Sequence, residues 1–238
     1  MPFIWDPTYL ILLVVMIAIS GWAAWRVRST YGRWSKVDSG INLGAYDFAR
    51  RLLDRQGLTD VQIEPTPGQL TDHYDPRKKV LRVSESVAGG GTAPGPAGPQ
   101  LSVAAAAVIA HEVGHALQDQ QRDRWLAARS VIVPAASFGS SLAPWLIVAG
   151  LLLNLTGLAV VGLIGFAIAF AFTLITLPVE IGASGKALAF VESLGMAGER
   201  QNGARAVLKA AAWTYVAAAL TAMLTFLYYL SLVMGRRD

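Results

Sequence analysis

The stretch SVIVPAASFGSSLAPWLIVAGLLLNLTGLAVVGLIGFAIAFAFTLITLPV, residues 130–179, contains no ionisable side chain. About 20 apolar residues cross a bilayer as a helix, so this stretch is too long for one crossing and suits two. Asn154-Leu-Thr-Gly157 predicts the turn between them, because Asn and Gly readily adopt turn conformations. We therefore predict a helical hairpin with arms at Leu142–Leu153 and Leu158–Leu177, the second arm ending before Pro178.

Two further stretches, Pro7–Trp25 and Ala210–Gly235, lack Asp, Glu, Lys and Arg, and each is long enough for one membrane-spanning helix. The first stretch has no basic residue before it, and Arg26 and Arg28 follow it. This order is typical of a membrane anchor, whereas a cleaved signal peptide begins with basic residues. The sequence thus predicts about four transmembrane helices.

The composition excludes several classes of protein. The chain has 238 residues, of which 54% are hydrophobic and 15% charged, whereas a soluble domain carries about 25% charged residues. A disordered chain is also excluded, because such chains are poor in apolar residues and rich in charge. The absence of cysteine excludes disulfide bonds and thiolate metal sites. We interpret the net charge of +4 as a sign of membrane topology and not of nucleic-acid binding.

Basic residues predict the orientation in the membrane. Four of them lie within residues 26–36, directly after the first apolar stretch. The positive-inside rule then places the N-terminus outside and the segment 26–130 in the cytoplasm. The hairpin returns the chain to the cytoplasmic side at Glu180. The C-terminal pair Arg236-Arg237 would lie outside, against the rule, and we treat it as the weaker signal.

The polar segments predict a small amount of additional structure. Ser102 can cap the N-terminus of a long helix that runs toward Arg129. We also hypothesise that one short strand, around Val80–Val83, pairs at its edge with an extended peptide. The other predicted elements are a helix from Ser39 to Gly57, strands at Val61–Glu64 and Lys79–Val83, and a flexible Gly/Pro-rich linker at 89–99 with neither helix nor strand.

The predicted long helix carries His111-Glu-Val-Gly-His115. Histidines four residues apart face the same side of a helix, so both imidazoles can bind one Zn²⁺ ion. Glu112 lies next to the first histidine and can act as a general base toward water at the metal. The alternative is an accidental match on an amphipathic helix. Gly114 costs about 1 kcal/mol relative to alanine inside a helix, and we interpret it as facing metal or substrate.

A catalytic zinc ion needs a third protein ligand and an open fourth position. Gln118 and Gln121 stand where the pattern His-x-x-Gly-x-x-His would need Gly and His, so that pattern is excluded. Asp119 and Asp123 follow on the same predicted helix. Glu180 follows the hairpin, which returns it to the side of the membrane that carries His111 and His115. The residues alone leave Glu180 open between a metal ligand and an interfacial carboxylate.

The third histidine, His73, lies in the stretch Thr71-Asp-His-Tyr-Asp75. One interpretation is a histidine that binds the backbone of a turn. The other is a catalytic donor that, together with Tyr74, stabilises the oxyanion of a tetrahedral intermediate. We interpret Asp72 and Asp75 as turn residues.

Several motifs occur in order along the chain: LTDHYDP at 70–76, LRVS at 81–84, AHEVGHALQ at 110–118, LPVE at 177–180 with Ala183-Ser184, and AVLKAAAWTYV at 206–216. In these motifs the sequence resembles the YugP-like membrane zinc metallopeptidases of bacteria over almost its whole length. The resemblance implies a neutral zinc protease. It further implies one Zn²⁺ ion on His111, His115 and Glu180, with Glu112 as the general base.

Three features depart from the pattern of that family. The linker at 89–99 is richer in Gly and Pro, Gly182 stands where a polar residue is expected, and Gly185 where a bulkier one is expected. If a polar residue at position 182 supports a metal ligand in the family, its absence predicts weaker metal binding here.

The predicted fold is mainly α-helical and integral to the membrane, with a small α+β, zincin-like cytoplasmic part. The predicted function is a zinc-dependent endopeptidase near the cytoplasmic membrane face. Its partners would be a peptide or membrane-protein substrate and the lipid bilayer, with an oligomer or accessory membrane protein allowed and nucleic acid excluded. The alternative is a non-catalytic assembly protein in which a closed four-ligand zinc site, with His73 as fourth ligand, joins helices.

We expect six segments: an N-terminal transmembrane helix (1–25), a cytoplasmic α+β segment (26–101), the active-site helix (102–130), a transmembrane hairpin (131–178), a third-ligand segment (179–209) and a C-terminal transmembrane helix (210–238).

Overall fold

The computed structural model describes residues 6–89, 92–95 and 98–235. Four of its helices are long and apolar enough to cross a membrane. The prediction of a mainly α-helical membrane protein with about four such helices and a small sheet is thereby confirmed. The four helices are α1 (Pro7–Trp34), α5 (Arg124–Leu152), α6 (Thr156–Ser193) and α7 (Gly198–Met234).

The other elements lie between α1 and α5 in the sequence. They are α2 (Ala45–Arg55), β1 (Gln62–Thr66), β2 (His73–Asp75), β3 (Val80–Ser84), α3 (Glu85–Ala88), β4 (Thr92–Gly95), β5 (Gly98–Gln100) and α4 (Val103–Gln120).

The chain divides into two compact units. The membrane unit comprises 1–24, 127–178 and 213–238, of which the structure describes 6–24, 127–178 and 213–235. The metal-site unit comprises Trp25–Leu126 and Val179–Ala212.

Helix α4 lies in the core of the metal-site unit. Its residues Ala104–Ala107 are fully buried, as are Phe48 of α2 and Leu81 of β3. The helix begins at a true N-cap, because the Ser102 hydroxyl accepts a hydrogen bond from the Ala105 N–H at 3.1 Å. Small alanine side chains let the neighbouring elements pack close to this helix, which carries two of the predicted ligands.

The small sheet has the strand order β1-β3-β2. Strand β3 pairs in parallel with β1 and antiparallel with β2, so it has a partner on each side. The hypothesis that Val80–Val83 offers a free edge to a peptide is therefore wrong. Two strands were expected, and the additional short strand β2 takes that edge.

The predicted long helix from Ser102 to Arg129 is instead two helices. Helix α4 ends at Gln120, and Arg122 adopts a left-handed conformation with φ of 52°. Asp123 then accepts hydrogen bonds from the N–H groups of Trp125 and Leu126 at 2.8 and 3.0 Å. The cap provided by Asp123 starts α5, because it satisfies donors that a first helical turn leaves without partners.

The membrane hairpin differs from the prediction at both ends, because its first helix, α5, begins at Arg124 and not at Leu142. Asn154 has φ of 56° in the turn between α5 and α6, as predicted, whereas Gly157, the other end of the predicted turn, already lies in α6. Pro178 was expected to end the second arm, but α6 continues through it to Ser193. A proline removes one helical hydrogen bond, and α6 continues on both sides of Pro178 despite that loss. Glu180 therefore lies inside α6, on the same helix as the second arm of the hairpin.

The Gly/Pro-rich linker contains strand where none was expected. Strands β4 and β5 form an antiparallel pair, so that prediction is wrong for residues 92–95 and 98–99. The pairing of two backbone segments does not require side chains of high strand propensity. Residues 90, 91, 96 and 97 lie outside the described part of the chain.

Candidate metal centre

Three side chains with metal-binding atoms converge between α4 and α6. The Nε2 atoms of His111 and His115 lie 3.2 Å apart. Oε2 of Glu180 lies 3.1 Å from Nε2 of His111 and 3.5 Å from Nε2 of His115. In the described part of the chain, these three residues form the group of His and carboxylate side chains that could hold a metal ion.

The spacing of the three atoms fits a zinc ion. Ligands about 2.0–2.1 Å from zinc at the corners of a tetrahedron lie roughly 3.3–3.4 Å from one another. The observed separations of 3.1, 3.2 and 3.5 Å bracket this value. Two imidazoles and one carboxylate are also a known donor set of catalytic zinc, which keeps its fourth position open.

A close contact between helices brings the ligands together. A Cβ atom added to Gly114 would lie 2.7 Å from the backbone oxygen of Ala183. Only glycine allows α4 and α6 to approach this closely at that point. Our interpretation that Gly114 faces metal or substrate is therefore wrong: it faces the backbone of α6, one turn beyond Glu180.

The second ring nitrogen of each histidine also has a partner. Nδ1 of His111 lies 3.2 Å from Oγ of Ser184, and Nδ1 of His115 lies 3.0 Å from Oε1 of Gln118. Such partners orient metal-binding imidazoles and fix which nitrogen carries the proton. Sequence reasoning had assigned no role to either partner. Helical spacing could have suggested both partners. Gln118 follows His115 by three residues and Ser184 follows Glu180 by four, and residues so spaced lie on the same face of a helix.

Glu112 is held by the sheet. Its Oε2 accepts a hydrogen bond from the backbone N–H of Tyr74 at 2.9 Å, and the residue is only 9% exposed. Burial raises the pKa of Glu112, although the nearby His115 and His111 act in the opposite direction. The contact with Tyr74 joins residues 38 apart in sequence, and the local pattern gave no sign of it.

His115 is equally buried. Burial alone would lower its pKa, but the hydrogen bond to Glu180 and the charges of Glu112 and Glu180 outweigh burial and raise the pKa. Glu112, His115 and Glu180 are thus largely shielded from solvent and interact electrostatically with one another.

The other two candidate carboxylates have different partners. Oδ2 of Asp119 accepts hydrogen bonds from the Tyr74 hydroxyl at 2.8 Å and from Nζ of Lys79 at 2.7 Å. Asp123 caps α5. Of the three carboxylates considered from the sequence, the structure brings Glu180 to the histidines.

His73 lies apart from this group. Its Nδ1 lies 2.9 Å from the carbonyl oxygen of Thr71, and its Nε2 lies 3.2 Å from Nη1 of Arg82. Since neighbouring residues of a strand point to opposite faces and Tyr74 contacts α4, His73 points away from α4. The geometry does not support His73 as an oxyanion donor or as a fourth ligand. It favours the simpler interpretation of a histidine that binds the backbone.

Of the two aspartates beside His73, Asp75 stabilises a turn, as interpreted from the sequence, whereas Asp72 binds the end of β3, so the turn interpretation is wrong for Asp72. Asp75 accepts hydrogen bonds from the N–H groups of Arg77 and Lys78, and Asp72 accepts them from the N–H and hydroxyl of Ser84.

Comparisons with known proteins agree with this geometry. The model of a family described as "Putative neutral zinc metallopeptidase" matches residues 9–234. A protein of Bacillus subtilis (strain 168), described as "Putative membrane protease YugP", is 40% identical over 231 residues. That similarity covers 97% of this chain and 98% of the relative. No solved structure matches the chain.

Proposed function

We propose that this protein, which belongs to the family of neutral zinc metallopeptidases, is a membrane-embedded zinc endopeptidase whose active site faces the cytoplasm. The observation that carries the proposal is the convergence of His111, His115 and Glu180 beside the buried carboxylate of Glu112. The three residues would hold one Zn²⁺ ion, and Glu112 would be the general base.

The ion would supply Lewis acidity, which polarises a peptide carbonyl and makes water a nucleophile near neutral pH. Glu112 would accept the proton of that water and later deliver it to the leaving amine. The Tyr74 N–H engages one carboxylate oxygen of Glu112 and leaves the other for the proton.

The test compares wild-type protein with Glu112→Gln, a change that keeps the size of the side chain and removes its basicity. Zinc content is measured by elemental analysis, and cleavage is followed with casein and with membrane peptides. We expect equal zinc content in both proteins and cleavage by wild type only. Undiminished cleavage by Glu112→Gln would overturn the mechanism. A zinc-loaded wild type that cleaves no substrate would favour the assembly protein instead.

The cytoplasmic orientation rests on the four basic residues within 26–36, three in the last part of α1 and one directly after it. Because the chain has no cysteine, single cysteines report membrane side directly. Gly157 is exposed beside the turn between α5 and α6, and Lys78 is exposed in the metal-site unit. We expect a membrane-impermeant maleimide to label Gly157→Cys in intact cells and Lys78→Cys only after permeabilisation. The reverse pattern would invert the orientation.

A further inference from the structure

We infer that Gln118 is a positioning residue that sets the tautomer of His115 and couples it to the helix that carries Glu180. The inference rests on the zinc site proposed above. Two observations support the inference: the Gln118 amide forms two hydrogen bonds, and Gly182 beside it has no side chain.

The orientation of the Gln118 amide follows from its partners. Its Nε2 donates to the backbone oxygen of Val179 at 2.9 Å, and a carbonyl oxygen can only accept. The amide oxygen Oε1 therefore faces Nδ1 of His115, at 3.0 Å. Because Oε1 also only accepts, the proton must lie on Nδ1. In the neutral imidazole, the form that binds a metal, the lone pair then lies on Nε2, the atom that faces His111 and Glu180.

The same amide connects the two halves of the site. His115 belongs to α4, whereas Val179 directly precedes Glu180 in α6. Gln118 is 1% exposed, so water cannot readily replace either hydrogen bond. One side chain thus fixes the proton on one ligand and holds the backbone beside another.

Gly182 makes room for this amide. A Cβ atom added there would lie 2.8 Å from Nε2 of Gln118. From the sequence, Gly182 was interpreted as the loss of a polar group that would support a metal ligand if the family has one there; the structure shows the Gln118 amide next to Gly182. The supporting group comes from α4, and glycine in α6 provides the space for it.

Gly185 offers a matched control. It lies three residues further along α6, and a Cβ atom added there would have no atom within 4 Å. Both Gly182→Ala and Gly185→Ala add one methyl group to the same helix and raise its helical propensity equally. Only the methyl group of Gly182→Ala would contact Gln118.

The experiment measures the zinc dissociation constant of full-length protein by competition with a chelator, for wild type and four variants. We expect Gln118→Leu to weaken zinc binding by about 10- to 100-fold. Gly182→Ala should weaken it in the same direction, and Gly185→Ala should leave it unchanged. In the variant that combines Gln118→Leu with Gly182→Ala, the second change should add nothing, since both act on one contact.

A spectroscopic measurement separates positioning from general stability. In zinc-loaded protein with ¹⁵N-labelled histidine, we expect a slowly exchanging Nδ1 proton on His115 that is lost in Gln118→Leu. Wild-type zinc affinity in both Gln118→Leu and Gly182→Ala would overturn the inference, as would an unchanged His115 proton signal. If wild type binds no zinc, or if it keeps its zinc after His111→Ala and His115→Ala, the proposed function fails instead.

Discussion

The backbone N–H of Tyr74 donates to Oε2 of Glu112, and so the edge strand β2 holds the proposed general base. The hydroxyl of the same residue donates to Asp119, seven residues further along α4. Residues seven apart lie on the same face of a helix. Strand β2 is therefore fastened to α4 at two points, one at each end of Tyr74.

Tyr74→Phe removes the second of these points and keeps the backbone N–H. The buried hydroxyl donates to a charged carboxylate, so its loss should cost about 1–3 kcal/mol of stability. We expect kcat to fall several-fold because Glu112 is held less firmly, while zinc content stays at the wild-type level. Asp119→Asn, which weakens the same contact, should act in the same direction. A wild-type kcat in both variants would show that the fastening of β2 does not control Glu112.

The contribution of Tyr74 should depend on pH. Burial, followed by the hydrogen bond to Asp119, raises the pKa of Tyr74 above its ordinary value of 10.0. A group whose folded-state pKa is raised stabilises the fold fully below its unfolded pKa and loses that effect as pH rises. The Tm of wild type should therefore approach that of Tyr74→Phe only above about pH 10. A difference that already disappears near neutral pH would contradict this assignment.

Gly114→Ala tests the close approach of α4 and α6. Alanine favours helix by about 1 kcal/mol, yet its Cβ would lie 2.7 Å from the Ala183 oxygen. Backbone atoms yield less easily than a flexible side chain, so we expect a net loss of about 1–3 kcal/mol together with weaker zinc binding. Thermal unfolding of apo protein and chelator competition measure the two effects. The control Gly185→Ala should be neutral or slightly stabilising, and equal behaviour of the two variants would argue against the contact.

Glu180→Ala tests the third ligand. A zinc site that loses one of three protein ligands should bind the metal much less tightly, so we expect zinc content to fall after dialysis. His73→Ala is the matched control, because His73 binds Thr71 and Arg82 and should leave zinc content unchanged. A full complement of zinc in Glu180→Ala would show that Glu180 is not a zinc ligand.

Much of this protein could be predicted from local sequence patterns. Stretches without charge predicted the apolar helices, because a bilayer excludes unpaired charges over a fixed length. The spacing of His111 and His115 predicted two ligands on one helical face, because the period of a helix is a local property. Glu180 could be proposed as a metal ligand because a hairpin of two crossings would return the chain to the side of the membrane from which it started.

Other features could not be predicted, because they depend on partners distant in sequence. Pro178 is a helix breaker by local rules, yet α6 continues through it. Gly182 could only be interpreted as a missing polar group until the position of Gln118 was known. Tyr74 was considered as an oxyanion donor, whereas its N–H binds Glu112.

The sequence by itself determined how many long apolar helices the chain forms, and it identified His111, Glu112 and His115 as candidate site residues, since both follow from composition and helical period. Only the tertiary structure decided how those residues are held. The hydrogen bond between His111 and Glu180 joins residues that are 69 positions apart in the sequence. The contact of Gly114 with Ala183 likewise joins separate helices. Such contacts arise from packing across the core, which local propensity does not encode.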